Sequence, residues 1–146
     1  MAPLRTQLAA GYEISQIITG LWQVADIEKE GKQLDQDQAA KTLVDYATEG
    51  FDTFDMADHY GSAELIAGCA RKILQTNPCG QSSPIQAKFH TKWCPKPGLM
   101  TSQIVYDGIR ESADRLGVET IDLLQFHWWS FEHPGYLEAM EGLALA

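Results

Sequence analysis

Two kinds of run alternate along the chain. Short β-rich apolar stretches are followed by longer segments whose apolar residues return every three or four positions. Ile14 to Val24 is mostly apolar and predicts a strand covered on both faces. Tyr12 to Ser15, just after Gly11, leaves room for a short hairpin strand at its start. Asp26 to Leu34 is polar and Gly-containing, so it predicts a loop. Asp35 then predicts a helix N-cap with Gln38 at the capping-box position; Ala39, Leu43, Val44 and Ala47 follow, and Gly50 ends the helix. Asp52 to Ala57 is the second strand. Ser62 to Leu74 is the second helix, with Leu65, Ile66, Cys69, Ile73 and Leu74 on one face. After a loop over Asn77 to Pro84 comes a third strand, Ile85 to Trp93, broken by Pro95-Lys96-Pro97-Gly98. Ser102 predicts the cap of a third helix, lined by Val105, Ile109, Ala113 and Leu116 and stopped by Gly117. Ile121 to His127 is the fourth strand, His133-Pro134-Gly135 a turn, and Tyr136 the start of a fourth helix.

Four strand–helix units in a row predict an α/β fold with a parallel sheet and helical crossovers. At 146 residues the chain has the size of one domain, and 45% hydrophobic residues suffice for a packed core. The formal net charge is -9, with acids spread along the chain as on a solvated surface. No Lys/Arg cluster forms a nucleic-acid footprint, so nucleic acid is not an expected partner. Cys69, Cys79 and Cys94 are odd in number and irregular in spacing, which predicts plain thiols in a reducing, cytoplasmic setting, with no CxxC pair and no metal site. The first residues lack an apolar signal core, and no apolar run approaches the roughly 20 residues needed to span a bilayer. A membrane partner is therefore not expected, while a transit segment upstream of the start stays open.

The residues that carry chemistry gather at the C-terminal ends of the second, third and fourth strands: Asp55 and Tyr60, then Lys92, then His127. In a parallel α/β barrel that edge holds the active site, so residues far apart in sequence converge there. Their chemistry is coherent. A free tyrosine has a pKa of about 10, a poor match to neutral pH. A lysine ammonium beside it favours the phenolate, an aspartate holds the ammonium in place, and a histidine can hydrogen-bond a substrate oxygen. Such a group is a general acid beside a carbonyl-sized space. Asp58 rivals Asp55 by chemistry, and only the spacing to Tyr60 favours Asp55. Strand alternation places Lys88 and Lys92 on the same face, so periodicity does not choose between them. His90 and His133 read as structural or surface residues. Of Trp128 and Trp129, one faces the barrel side and the other the helix layer.

Four segments together resemble the aldo-keto reductase family. They are Thr19-Gly20-Leu21-Trp22-Gln23, then Gly50 through Gly61 (GFDTFDMADHYG) with Glu64 following, then Thr91-Lys92-Trp93, then Asp122 through Trp129 (DLLQFHWW). They stand in the family's order and at similar spacing over almost the whole chain. The resemblance implies the N-terminal half of a (β/α)8 TIM barrel. It also implies NADPH-dependent reduction of an aldehyde or ketone, an oxidoreductase activity. Tyr60 would be the proton donor, Lys92 would strengthen it as an acid, Asp55 would pair with Lys92, and His127 would orient the carbonyl. Gly20, Leu21 and Asp55 would lie near the cofactor, NADP(H). Trp22, His59 and Trp128 would wall the pocket for a small-molecule carbonyl substrate. The motif also favours Lys92 over Lys88.

A complete barrel of this kind has eight βα units and roughly 250 residues. Residues 1–146 are therefore expected to form a single partial domain, truncated within the fourth helix. The family's later loops, which hold most of NADPH, have no counterpart here. A half barrel leaves two open strand edges, so self-association or a complementary second half-barrel is an expected partner. A catalytically incomplete half-barrel that acts in binding, regulation or assembly, or a truncated gene product, is the alternative to a reductase.

Overall fold

The computed structural model describes residues 4–31, 34–76 and 85–146. Cys79 and the loop expected over Asn77 to Pro84 lie outside the described residues. Four parallel strands form a sheet in chain order: β3 (Thr19–Gly20), β4 (Thr53–Asp55), β5 (Lys88–Trp93) and β6 (Leu123–Phe126). Ahead of them β1 (Arg5–Ala9) and β2 (Tyr12–Ser15) make an antiparallel hairpin turning at Gly11, whose φ of 74° suits glycine. Helices α1 (Trp22–Lys29), α2 (Gln36–Thr48), α3 (Ala63–Gln75), α4 (Ser102–Leu116) and α5 (Tyr136–Leu145) complete the chain. Among the described residues no helix is long and apolar enough to cross a membrane.

The helices begin and end where local chemistry allows. The Asp35 carboxylate accepts from the backbone N–H of Gln38 at 3.0 Å and starts α2. Ala40, Leu43, Val44 and Ala47 then bury one stripe of that helix. For α4 the cap is Thr101 rather than Ser102: its hydroxyl accepts from the N–H of Ile104, and Ser102 is the first helical residue. Gly117 closes α4 in the left-handed region, with φ 67°. Helix α3 turns Ile66, Ala67, Ala70 and Leu74 inward, at spacings of one, three and four. Leu65, expected on that face, is 44% exposed because its position falls at the edge of the stripe.

The largest correction concerns Ile14 to Val24. The run does not form one strand. β2 ends at Ser15, Ile17 and Ile18 are exposed, β3 spans two residues, and the chain turns helical at Trp22. Leu21 is buried, Val24 packs against the same core, and Glu28 bonds Ser62 at the start of α3. Those spacings of three and four belong to a helix, so the segment expected as a loop from Asp26 starts inside α1.

Strand alternation gives the sheet two different faces. On β5, Phe89, Thr91 and Trp93 are buried under the helices, whereas Lys88, His90 and Lys92 turn to the other side. Phe54 and Phe89 stack across β4 and β5 with centroids 5.1 Å apart, and both are fully buried. Each side chain of that kind stabilises the fold by roughly 1.5–3 kcal/mol. A second cluster, Trp93, Met100, Val105 and Ala139, fills the space between β5, β6 and α4 with α5. The hairpin covers the strand-start end of the sheet. There the N–H of Ser15 donates to Thr53 Oγ1, the Tyr12 hydroxyl bonds His90 Nε2 at 3.0 Å, and Arg5 bridges to Asp52 at 2.6 Å. The opposite end is left for other groups.

Candidate active site

Parallel pairing fixes which residues meet at that opposite end. Gly20 stands in register with Asp55, and Lys92 with Gln125. The ladder also continues past the last residues of β4. Met56 N–H donates to His90 O and Asp58 N–H to Lys92 O, both at 2.9 Å. His127 N–H donates to Trp93 O in the same way on the next strand. Loops that would otherwise sway are thus held by backbone bonds before any side chain contributes.

After Asp55 the chain makes a short turn into α3. Tyr60 N–H donates to Ala57 O, and Gly61 takes a φ of 53°. The Glu28 carboxylate accepts from both the N–H and the hydroxyl of Ser62, which ties α1 to the start of α3. That staple brings Trp22 to Tyr60, edge to face at 4.8 Å. Glu64, the acid following the motif, points the other way. It is 2% exposed, accepts from Thr91 Oγ1 at 2.6 Å and pairs with Arg115 at 2.6 Å. It fastens β5 to α3 and α4 behind the site.

The Lys92 ammonium lies 2.6 Å from Asp55 Oδ2 and 5.1 Å from the centre of the Tyr60 ring. The other Asp55 oxygen accepts from Gln125 Nε2 at 2.8 Å. The chemical ambiguity between the two aspartates is resolved by their partners. Asp58 Oδ2 accepts from the N–H of Cys94, and Oδ1 lies 2.9 Å from His59 Nδ1. Lys88 stands at the far end, 5.2 Å from the centre of the Tyr12 ring. Asp55, Lys92 and Tyr60 therefore form one contiguous group.

His127 joins them through rings rather than directly. It meets Trp129 at 4.4 Å, Trp129 meets His59 at 5.8 Å, and His59 meets Tyr60 at 4.9 Å. The two tryptophans divide as alternation requires. Trp128 turns to the helix side, against Phe126 and Tyr136, with its indole N–H directed at the carbonyls of Ser130 and His133. Trp129, 59% exposed, is the indole that faces the histidines. Gln125 is not singled out by the sequence and Trp129 stands there only as the alternative to Trp128, although both share strand parity with His127.

One histidine and two further groups mark the electrostatics around this frame. His90, 4% exposed, has its pKa lowered chiefly by burial, with Lys88 and Lys92 adding to the effect. Tyr12 is pushed up to about 12 by burial first and by the Asp122 charge second. Cys94 is likewise pushed up to about 12 by burial first and the Asp58 charge second, so its thiol is protonated. His133 lies on the surface and bonds Ser130 O through its backbone. Cys69 is a free, half-buried thiol packed against the core. A cleft of about 170 Å³, lined by Arg71, Ile85, Lys88, Phe89 and Asp122, sits at the strand-start end, away from Tyr60.

A nicotinamide cofactor can be tested against these residues. Gly20 has open space where a side chain would project, and its neighbour Leu21 is fixed by an N–H bond to Asp55 O at 2.9 Å. That open space leaves room for the flat nicotinamide end. The phosphates gain less from Lys92, a cation at the strand ends that is already paired with Asp55.

Comparison with known proteins agrees with the geometry. The model of the aldo/keto reductase family matches residues 16–145. An aldo-keto reductase of the silkworm Bombyx mori, solved in complex with NADP, superposes with a TM-score of 0.69 at 21% identity, over 100% of this chain and 47% of that one. A thermostable aldo-keto reductase solved with the inhibitor epalrestat gives 0.72 at 21% identity, over 97% and 48%. An aldo/keto reductase from Brucella melitensis gives 0.65 at 22% identity, over 99% and 49%. No curated protein matches the chain significantly. The chain spans about half the length of the solved structures it resembles, which makes its sheet half of a (β/α)8 barrel with an antiparallel hairpin in front. By family match and by fold together, the chain belongs to the aldo/keto reductase family.

Proposed function

We propose that this strand-end site is the proton-donating half of an NADPH-dependent carbonyl reductase, acting on aldehydes or ketones. The observation that carries the proposal is the placement of the Lys92 ammonium between the Asp55 carboxylate and the Tyr60 ring. Tyr60 is the general acid. Its hydroxyl proton passes to the carbonyl oxygen as the carbon gains a hydride, and the product is an alcohol. Lys92 stabilises the phenolate that remains, and Asp55 and Gln125 hold Lys92 and its partner carboxylate in place. His127 donates to the carbonyl oxygen and orients it. Trp22, His59 and Trp129 supply the apolar walls, with Trp129 in the place expected for Trp128. When bound, NADPH supplies the hydride. Gly20, Leu21 and Asp55 would hold its nicotinamide end.

A second reading rests on the sheet itself. β3 and β6 are its outer strands, and among the described residues no further strand pairs with either. A half-barrel with such edges would serve in assembly or binding, completed by a second half, and would not turn over alone. Titrating NADPH against the purified chain by nicotinamide fluorescence separates the two. Saturable micromolar binding supports the reductase reading, and its absence sinks autonomous activity. In a barrel completed by the C-terminal half of a full-length relative, Tyr60→Phe should lower carbonyl reduction by about 10²–10⁴-fold and leave NADPH binding nearly intact. Retained turnover would remove Tyr60 from the acid role.

A further inference from the structure

We propose that Asp58, His59 and Cys94 form a binding site for a zinc-class divalent cation on the rim beside Tyr60. The three side chains come from two loops, one after β4 and one after β5, and share no spacing motif. The structure nevertheless brings one carboxylate oxygen, one imidazole nitrogen and the thiol sulfur within 4.8 Å of one another. Ligand atoms around a tetrahedral zinc ion lie roughly 3.5 Å apart. His59 Nδ1 and Asp58 Oδ1 already approach to 2.9 Å. The remaining closure falls to side-chain rotation of Cys94 and of His59, whose ring is 39% exposed.

The frame under the ligands is fixed. Asp58 N–H donates to Lys92 O at 2.9 Å, and Cys94 N–H donates to Asp58 Oδ2 at 2.8 Å. Oδ2 can keep that backbone bond while Oδ1 turns to the ion, so the carboxylate is oriented in advance. The ion would take the place of the proton between His59 Nδ1 and Asp58 Oδ1. Neutral His59 then carries its proton on Nε2, and the Cys94 thiol releases one proton to solvent for each ion bound. A thiolate, an imidazole and one carboxylate suit zinc, cobalt or cadmium and not magnesium or calcium, which prefer oxygen throughout. Three protein ligands leave a fourth position for water on the exposed side of His59. The bound ion would also fix the His59 ring that packs edge-on against Tyr60.

Cobalt(II) added to the full chain under reducing conditions tests the site. One equivalent should bind with a thiolate-to-cobalt charge-transfer band and release of about one proton. Cys94→Ser should abolish the band, and His59→Gln should weaken binding by about tenfold to a hundredfold or more. Cys69→Ser should change neither. Far-ultraviolet circular dichroism of each variant establishes that it is folded. A titration without the band, a band kept in folded Cys94→Ser, or one lost only in Cys69→Ser would overturn the proposal.

Discussion

Lys92 holds its ammonium 5.1 Å from the centre of the Tyr60 ring, although the two side chains start from different loops and strands. The ammonium is also held by Asp55, whose Oδ2 lies 2.6 Å away. Replacing Lys92 by Met should therefore remove carbonyl reduction in a completed barrel about as severely as loss of the acid itself. Stability should change by about 1 kcal/mol, because the pair is partly exposed and Gln125 still serves Asp55. Lys88→Met, at the Tyr12 end, should leave turnover close to the parent value. Steady-state rates and urea melts of the two variants distinguish the lysines. The reverse ranking would move the role to Lys88.

Glu64 should matter to folding rather than to chemistry. Its carboxylate is buried and serves both Thr91 and Arg115. Glu64→Ala strands the Arg115 guanidinium and the Thr91 hydroxyl. Breaking a fully buried pair costs about 3–5 kcal/mol. Arg115 is 29% exposed and can turn toward water, so about 2–3 kcal/mol is expected here. Chemical denaturation measures it, and a change below about 1 kcal/mol would mean that water replaces the network without penalty.

Gly68 sets how closely α3 approaches α4. A Cβ at this position would lie 2.6 Å from the carbonyl oxygen of Arg115 and 3.1 Å from the carbonyl group of Leu116. Both are backbone atoms and cannot swing aside. Overpacking of this kind costs about 1–3 kcal/mol, against a gain of about 1 kcal/mol from the helix propensity of alanine. Gly68→Ala should be net destabilising in a thermal melt. An unchanged or raised melting temperature would show that the helices can part at that contact.

His90 gives the fold an acid-sensitive component. Burial lowers its pKa in the folded chain; Asp122 and Asp55 oppose that shift, and Lys88 and Lys92 reinforce it. Well above about pH 6.5, the ordinary histidine value, both folded and unfolded chains carry a neutral ring. On acidification the unfolded chain takes up its proton first. Stability should therefore fall as pH drops below about 6.5 and level off, for this group, below the folded pKa. His90→Gln keeps a polar partner for Tyr12 and should flatten that part of the profile in urea melts taken from about pH 7 to about pH 5. A slope identical to the parent's would assign the acid sensitivity to other groups.

Much of this arrangement is legible in the sequence. The βα alternation, the Asp35 cap and the Gly117 stop each follow from local chemistry or period, whereas the preference for Lys92 over Lys88 comes from the resemblance alone. Ile14 to Val24 was not legible, because an apolar β-rich run hides a helical repeat that starts at its own end, at Leu21 and Val24. Between Asp55 and Asp58 only the spacing to Tyr60 speaks in the sequence; the backbone partner that occupies Asp58, Cys94, belongs to the next strand's loop. Trp129 and Gln125 were within reach. Counting every second residue from His127 reaches both.

The Asp55 carboxylate divides its two oxygens between Lys92 of β5 and Gln125 of β6, so one side chain reads the alignment of three neighbouring strands. If β5 slipped by a single residue, Lys92 would swing to the helix side and Thr91 or Trp93 would face the carboxylate instead. The Lys92 charge beside Tyr60 is thus also a gauge of correct assembly. A chain that folds with its strands out of step loses the Asp55–Lys92 pair and its sheet together, and a mutation tolerated by one must also be tolerated by the other.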